Sequence, residues 1–175
     1  MVVGDLTKAE AYQYYLNLLD TVVAPKKLGL FGRTEVDFDR IYHLTGGRIY
    51  FIRNYVAQVC SFGPIPKATL FMMVSNARTT FLRRELIRPK IFSTNQVLEV
   101  FKMLTSSQSG YLNYEVVTAH FKEQMVVEEM IHRNILHFRP SSDFARDLQP
   151  IPEDDVVTAS GHPALRAMEL LIKDW

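Results

Sequence analysis

The segment LTGGRIYFIR, residues Leu44 to Arg53, places two glycines between two short amphipathic stretches. Glycine can end a helix in the left-handed backbone conformation because it has no Cβ atom to clash. A helix that starts directly afterwards exposes backbone N–H groups at its N-terminus, and such groups can face a phosphate. The segment therefore predicts a sharp corner between two helices. The candidate nucleotide-facing turn at this corner consists of Thr45, Gly46, Gly47 and Arg48.

The glycine pair also has a purely structural interpretation. Two glycines between helices are common wherever a chain must turn sharply, with no ligand involved. The sequence leaves both interpretations of this corner open.

The sequence before residue 90 predicts four helices. Thr7 and Glu10 have the spacing of a capping box, and Thr34 is a second candidate N-cap. Arg88-Pro89 then interrupts the helical pattern, because a residue before proline is disfavoured in the helical conformation. This predicts a boundary between Ile87 and Ser93. The predicted helices run from about Lys8 to Val22, from Thr34 to Gly46, from Ile49 to Gly63, and through Leu70, Val74, Ala77 and Phe81.

The sequence after this boundary predicts a different order of elements. Three helices precede a strand, a polar proline-rich loop and a second strand, and a last helix has proline in its first turn. This is the order of a winged helix, with the loop from Pro140 to Pro152 as the wing. The predicted helices cover about 94–104, 114–120, 123–133 and 163–174, and the predicted strands 135–138 and 155–159.

These features resemble the lid and winged-helix regions of the archaeal-type and STAND branch of the AAA+ P-loop ATPases. The resemblance depends on the segment DLTKAEA from Asp5, the segment from Arg40 to Gly47, and the terminal three-helix-plus-wing unit. The expected fold class is mainly α, with a four-helix lid-like bundle at 1–90. A winged-helix domain with a small β-wing and a C-terminal helix is expected at 91–175. The resemblance also implies that the turn at Gly46 faces a nucleotide held by an ATPase core.

The motifs of nucleotide hydrolysis are absent from the sequence. It contains no G-x-x-x-x-G-K-[ST] motif, and no hydrophobic strand ends in two acidic residues. The five histidines lack the spacing of a zinc site, and Cys60 lies among apolar neighbours, which is typical of an inert buried thiol. We therefore predict a protein that is not an enzyme, with no catalytic residue, no metal and no cofactor. ATP would be bound only with a catalytic domain supplied from elsewhere.

Composition gives broader expectations. A chain of 175 residues with 47% hydrophobic residues can build a substantial core, and a formal charge of +1 gives no global attraction to nucleic acid or membrane. A single cysteine cannot form an intramolecular disulfide, and no secretion signal or membrane-spanning stretch is evident. These observations favour an intracellular protein that has no membrane partner.

A cluster of basic residues is the main candidate for an acidic partner or nucleic acid. Its positive charge gathers at the end of the fourth predicted helix, where it would also complement the helix dipole. The predicted third helix of the winged-helix unit contains Glu123, Glu128 and Glu129, which would repel DNA phosphates. Protein contact is therefore favoured over DNA contact. The candidate patch consists of Arg78, Arg83, Arg84, Arg88 and Lys90, with Arg139 and Arg146 in the predicted wing.

Three functional hypotheses follow from these patterns. The leading one is a non-catalytic regulatory or protein-interaction module that meets a protein partner or its own ATPase core. The second is a winged-helix nucleic-acid binder that uses the basic patch, and the third is an effector that acts on partner proteins. Self-association stays open in all three.

Overall fold

The computed structural model describes residues 5–86, 91–142 and 148–175, with the backbone alone at 84–86. Most of these residues are helical, and a small antiparallel sheet is the only other regular structure among them. The prediction of a mainly α chain is thus confirmed. The α-helices are α1 (Lys8–Val22), α2 (Glu35–Thr45), α3 (Ile49–Phe62), α4 (Met72–Leu86), α5 (Thr94–Ser106), α6 (Tyr114–Phe121), α7 (Gln124–His132) and α8 (His162–Asp174). The strands are β1 (Tyr111–Asn113), β2 (His137–Arg139) and β3 (Val156–Thr158), and short 3-10 turns cover Pro25–Leu30 and Ala68–Leu70.

Reciprocal capping boxes fix the starts of three of the described helices. At α1, the Thr7 side chain accepts from the backbone N–H of Glu10, and the Glu10 carboxylate accepts from the backbone N–H of Thr7. Thr34 forms the same reciprocal arrangement at α2, and Ser93 forms it at α5. Each box pairs N–H groups that have no partner within their own helix. The sequence predictions at Thr7 and Thr34 are confirmed.

The start of the fourth helix differs from the prediction. Leu70 was expected within this helix, but it lies in a 3-10 turn, and α4 begins at Met72. The Gln58 side chain explains the difference: its amide nitrogen donates to the Leu70 carbonyl at 2.5 Å, and its amide oxygen accepts from the Met72 N–H at 2.9 Å. A residue on α3 therefore determines where α4 starts.

The sheet has one more strand than the sequence predicts. β3 lies in the middle, with β1 and β2 as antiparallel neighbours, so that Val157 pairs with both Leu112 and Phe138. The predicted strand at 135–138 is shifted, because Ile135 and Leu136 turn into the core and pairing begins at His137. Arg139 is the last residue of β2 and does not lie in the loop that follows it.

Two large hydrophobic clusters form most of the interior, and a small third cluster contains Leu148 and Val156. One of the large clusters lies among α1, α2 and α3 and includes Tyr15, Phe38 and Ile52. The larger one combines α4 with the later helices, including Phe71, Phe101 and Met130. α8 packs most extensively on α4 and α5 and also contacts α2. α4 shares its core with α5 and α8. The division of the chain into two domains at residue 90 stays a prediction.

In the part of the chain that the structure describes, every helix is too short or too polar to cross a bilayer.

Candidate functional site

At the corner, Gly46 has the positive φ expected of a glycine cap, but its ψ of −158° lies outside the left-handed helical region. Gly46 has a φ of 59°, and its N–H donates to the Tyr42 carbonyl at 2.7 Å. Thr45 is buried, and its hydroxyl donates to the Ile41 carbonyl at 2.9 Å. Arg48 then precedes the first turn of α3. The four residues of the predicted turn therefore lie together at the corner, from Thr45, the last residue of α2, to Arg48, the N-cap of α3.

The glycines at this corner are required by close packing. A Cβ atom on Gly47 would lie 1.9 Å from the Leu6 carbonyl oxygen, and one on Gly46 would lie 2.6 Å from the ring of His162. On the opposite side, a Cβ on Gly161 would lie 2.8 Å from the ring of Phe51. The N-terminal segment, the α2–α3 corner and the loop before α8 therefore meet at van der Waals contact.

Arg48 connects these same three segments. Its Nε donates to Oδ1 and Oδ2 of Asp5 at 2.9 and 3.1 Å, and its Nη1 donates to the Ser160 carbonyl at 2.6 Å. The guanidinium also lies over the Phe51 ring, 5.7 Å from its centroid. A turn between two helices does not require these contacts. Together they hold the Arg48 side chain in one position.

Arg48 and Arg139 line the same cavity. The sequence analysis assigned these two arginines to different hypotheses, one to the nucleotide-facing turn and the other to the basic patch. The cavity has a volume of about 90 Å³. Its walls also include Asp5, Tyr42, Gly47, Ser109, Gly110, Leu148, Thr158, Ala159, Gly161, His162 and Leu165. We call this space the corner cavity.

His162, the first residue of α8, forms part of the wall. Its ring packs edge-on against Tyr42 with centroids 5.5 Å apart, and its Nδ1 is buried without a hydrogen-bond partner in the described part of the chain. Burial lowers the pKa of His162, and the charges of Arg166 and Arg48 lower it further. The imidazole is therefore neutral at pH 7.

Two further histidines near the cavity, His137 and His43, also have lowered pKa values. Burial lowers the pKa of His137, with further lowering by Arg48 and Arg139. Burial also lowers the pKa of His43, whose Nε2 lies 2.8 Å from Nη1 of Arg166. Burial disfavours a charge of either sign, so only the smaller contribution of the arginine charges indicates a positive potential that would favour a negatively charged ligand.

The other described basic side chains of the predicted patch, Arg78 and Arg83, are not among the residues that line this cavity. Arg78 pairs with Asp174 near the C-terminus of α8, at 2.6 Å, and Arg83 is exposed on α4. Arg78 and the corner cavity therefore lie at opposite ends of α8, roughly 18 Å apart at the usual rise per residue. The Arg84 side chain, Arg88, Lys90 and Arg146 lie outside the described residues.

An open apolar groove between α1 and α3 begins one residue after Arg48. It has a volume of about 850 Å³. Two large side chains that line it are highly exposed: Val22 is 67% exposed and Tyr50 is 62% exposed. The walls are formed by Leu18, Val22, Val23, Ile49, Tyr50, Arg53, Asn54, Val56, Ala57, Cys60 and Ser61.

Sequence reasoning missed three parts of the site: the Asp5 carboxylate, the Ser160 carbonyl and the His162 ring. The segment Gly161-His162-Pro163, a glycine before a helix that opens with proline, is the one local signal that could have drawn attention to the wall of the cavity. The described residues contain no cluster of three or more His, Cys, Asp or Glu side chains suited to a metal ion.

Comparison with known proteins gave no relative. No family model, curated protein or solved structure matches this chain.

Proposed function

We propose that this chain is a non-catalytic regulatory module, similar to the lid and winged helix of a AAA+/STAND ATPase, that contacts the phosphates of a nucleotide held by an ATPase core. The core belongs to the same protein or to a partner. One observation supports this above all: Arg48 at the α2–α3 corner and Arg139 on β2 line a single cavity.

The charges around the corner cavity suit an oxyanion. Two guanidinium groups and one carboxylate lie in its walls, which leaves a net positive charge among the described lining residues. The N-terminus of α8 opens at His162 in the same wall, and a helix N-terminus adds partial positive charge. Guanidinium groups are well suited to bind phosphate oxygens through paired N–H donors.

The size of the cavity supports a shared site. Pockets that enclose a drug-sized ligand have volumes of about 300 Å³ or more, whereas the corner cavity has about 90 Å³. It can accept a small anionic group and not a whole nucleotide. The base and ribose would therefore be held by another domain, consistent with the lack of a P-loop in the sequence.

The second half of the chain has the element order of a winged helix. α5, β1, α6 and α7 precede β2, a loop and β3, and β3 pairs with both other strands. We propose a winged-helix unit on this basis, with the β2–β3 loop as its wing. The exposed side of α7 includes Glu128, while Arg133 is paired with Glu129 at 2.6 Å. This helix would be a poor recognition element for DNA.

The α1–α3 groove supports contact with a protein. It starts at Ile49 and Tyr50, directly after Arg48, so a domain that reaches the corner cavity would also lie beside the groove. Exposed apolar surface of this kind is typical of protein interfaces. Nothing in the described residues distinguishes an effector role from a regulatory one.

A single set of titrations tests this proposal. The purified chain is titrated with pyrophosphate and ADP by calorimetry, and with a labelled DNA duplex by fluorescence anisotropy at low and moderate salt. We expect weak binding of pyrophosphate and ADP that is lost in Arg48→Gln and in Arg139→Gln. Arg83→Gln removes an exposed arginine from α4 and should change nothing. Salt-sensitive duplex binding that survives Arg48→Gln would overturn the proposal in favour of the nucleic-acid hypothesis.

A further inference from the structure

A carboxylate of the chain itself lies in the corner cavity. Asp5 accepts two hydrogen bonds from Nε of Arg48, and its side chain is only 22% exposed. Among the described residues that line the cavity, Asp5 has the only carboxylate. Carboxylate and phosphate oxygens accept from a guanidinium in the same manner. Asp5 therefore uses a donor that an incoming phosphate would need.

Backbone contacts hold this carboxylate in place. The N–H of Leu6, the next residue, donates to the Gly47 carbonyl at 3.0 Å. The Leu6 carbonyl passes so close to Gly47 that no Cβ atom would fit between them. Residues 5 and 6 therefore pack directly against the corner between α2 and α3.

We infer that residues 5 and 6 form a latch whose Asp5 carboxylate competes with the nucleotide phosphate for Arg48. The inference rests on the proposed function, because it concerns the regulation of the same cavity. The capping box of Thr7 and Glu10 holds the start of α1 without any contribution from the Asp5–Arg48 pair.

Opening the latch changes the charge that a ligand meets. With Asp5 in place, its carboxylate offsets the charge of Arg48. With Asp5 displaced, Arg48 presents its full charge and an available Nε donor. An anion that binds the closed form must first break the Asp5–Arg48 pair, so the latch lowers the apparent affinity of the site.

Neutralising Asp5 tests this competition directly. Asp5→Asn keeps the shape of the side chain and removes its charge, and calorimetry with pyrophosphate should show binding about tenfold tighter than in the unmodified chain. A tenfold gain corresponds to about 1.4 kcal/mol, within the range of a hydrogen bond to a charged group. Asp20→Asn is the matched control, because it makes the same change in net charge at another aspartate that pairs with an arginine. Asp20 lies on α1 and pairs with Arg33 at the surface. Asp20→Asn should leave pyrophosphate affinity unchanged.

A second measurement uses the unmodified chain and so does not depend on the folding of a variant. The ¹³C resonance of the Asp5 carboxyl carbon is followed by NMR while pyrophosphate is added. We expect it to move with the same apparent affinity as the binding measured by calorimetry, because the ligand displaces Asp5 from Arg48.

The outcomes separate the latch from the proposed function. If pyrophosphate binds through Arg48 but Asp5→Asn gives no gain and the Asp5 resonance does not move, the latch is wrong and the anion site stands. If neither the unmodified chain nor Asp5→Asn binds pyrophosphate, both the anion site and the latch are wrong.

Discussion

Two helices of this protein end at a glycine of similar conformation, and only one of these glycines is packed. Gly46 ends α2 with a φ of 59°, and Gly63 ends α3 with a φ of 86°. Both N–H groups donate to the carbonyl four residues earlier, at 2.7 and 2.9 Å. A Cβ atom on Gly63 would meet nothing within 4 Å, whereas one on Gly46 would meet the His162 ring.

The comparison of Gly46 with Gly63 separates a glycine that the local backbone requires from one that tertiary packing also requires. Both glycines solve the same local problem, which is to end a helix with a positive φ. At Gly63 this is the whole requirement. At Gly46 and Gly47 the missing side chains also allow the N-terminal segment and α8 to approach the corner, and that approach forms the corner cavity.

The largest effect is expected from Gly47→Ala. The added methyl group would lie 1.9 Å from the Leu6 carbonyl oxygen, and backbone cannot rotate away as a side chain can. We expect a loss of about 3 kcal/mol in the free energy of unfolding, measured by equilibrium unfolding in urea. Gly29→Ala is the control, because nothing lies within 4 Å of its Cβ position, and its effect should stay within about 0.5 kcal/mol. Equal losses in the two variants would mean that the corner is not closely packed.

A smaller effect distinguishes the two glycine caps themselves. Gly46→Ala and Gly63→Ala both place alanine in a backbone conformation that only glycine adopts easily, at a cost of about 1–3 kcal/mol each. Gly46→Ala should lose about 1 kcal/mol more, because the His162 ring must also move. In a double-mutant cycle, His162→Ala should remove this difference while leaving the effect of Gly63→Ala unchanged. A difference that persists without His162 would assign it to the backbone alone.

The smallest effect concerns pH. The pKa of His162 in the folded chain lies below its ordinary value of 6.5, because the ring is buried and because Arg166, Arg48 and His43 face it. The unfolded chain therefore takes up a proton that the folded chain resists. The contribution of neutral His162 to the free energy of unfolding is fully present above pH 6.5. It is lost as the pH falls from 6.5 toward the lower pKa that His162 has in the folded chain.

Urea unfolding at a series of pH values checks this prediction. His162→Phe keeps an aromatic ring against Tyr42 and cannot titrate, so its stability should fall less between pH 7.5 and pH 5.5. Part of the slope should remain, because burial also lowers the pKa values of His43 and His137. An unchanged slope would show that His162 does not become protonated when the chain unfolds in acid.

Much of the helical structure could be predicted because its signals are local. Thr7 and Thr34 cap their helices through residues three positions away, and Gly46 and Gly63 end helices through bonds within four residues. Such signals can be recognised in a linear sequence. The bounds of α1 agree with the prediction residue for residue.

The remaining features depend on distant residues. β1 has only three residues and exists through its pairing with β3, more than forty positions later in the chain. The candidate site also depends on residues that are distant in the sequence. Arg48 was predicted from its turn, but its contacts with Asp5 and Ser160 require the complete fold. The joining of Arg48 and Arg139 in one cavity was not predictable, because no local pattern relates a helix corner to the end of β2.

The position of α8 has a consequence for synthesis of the protein. Phe71, Val74 and Phe81 of the α4 region belong to the same cluster as residues of α8, and α4 leaves the ribosome long before α8 does. Their apolar surface therefore stays uncovered while the intervening helices and strands emerge, which is the stage at which a nascent chain most needs protection from aggregation. When α8 docks, it covers α4 and brings His162 to the corner, so the core and the corner cavity are completed together.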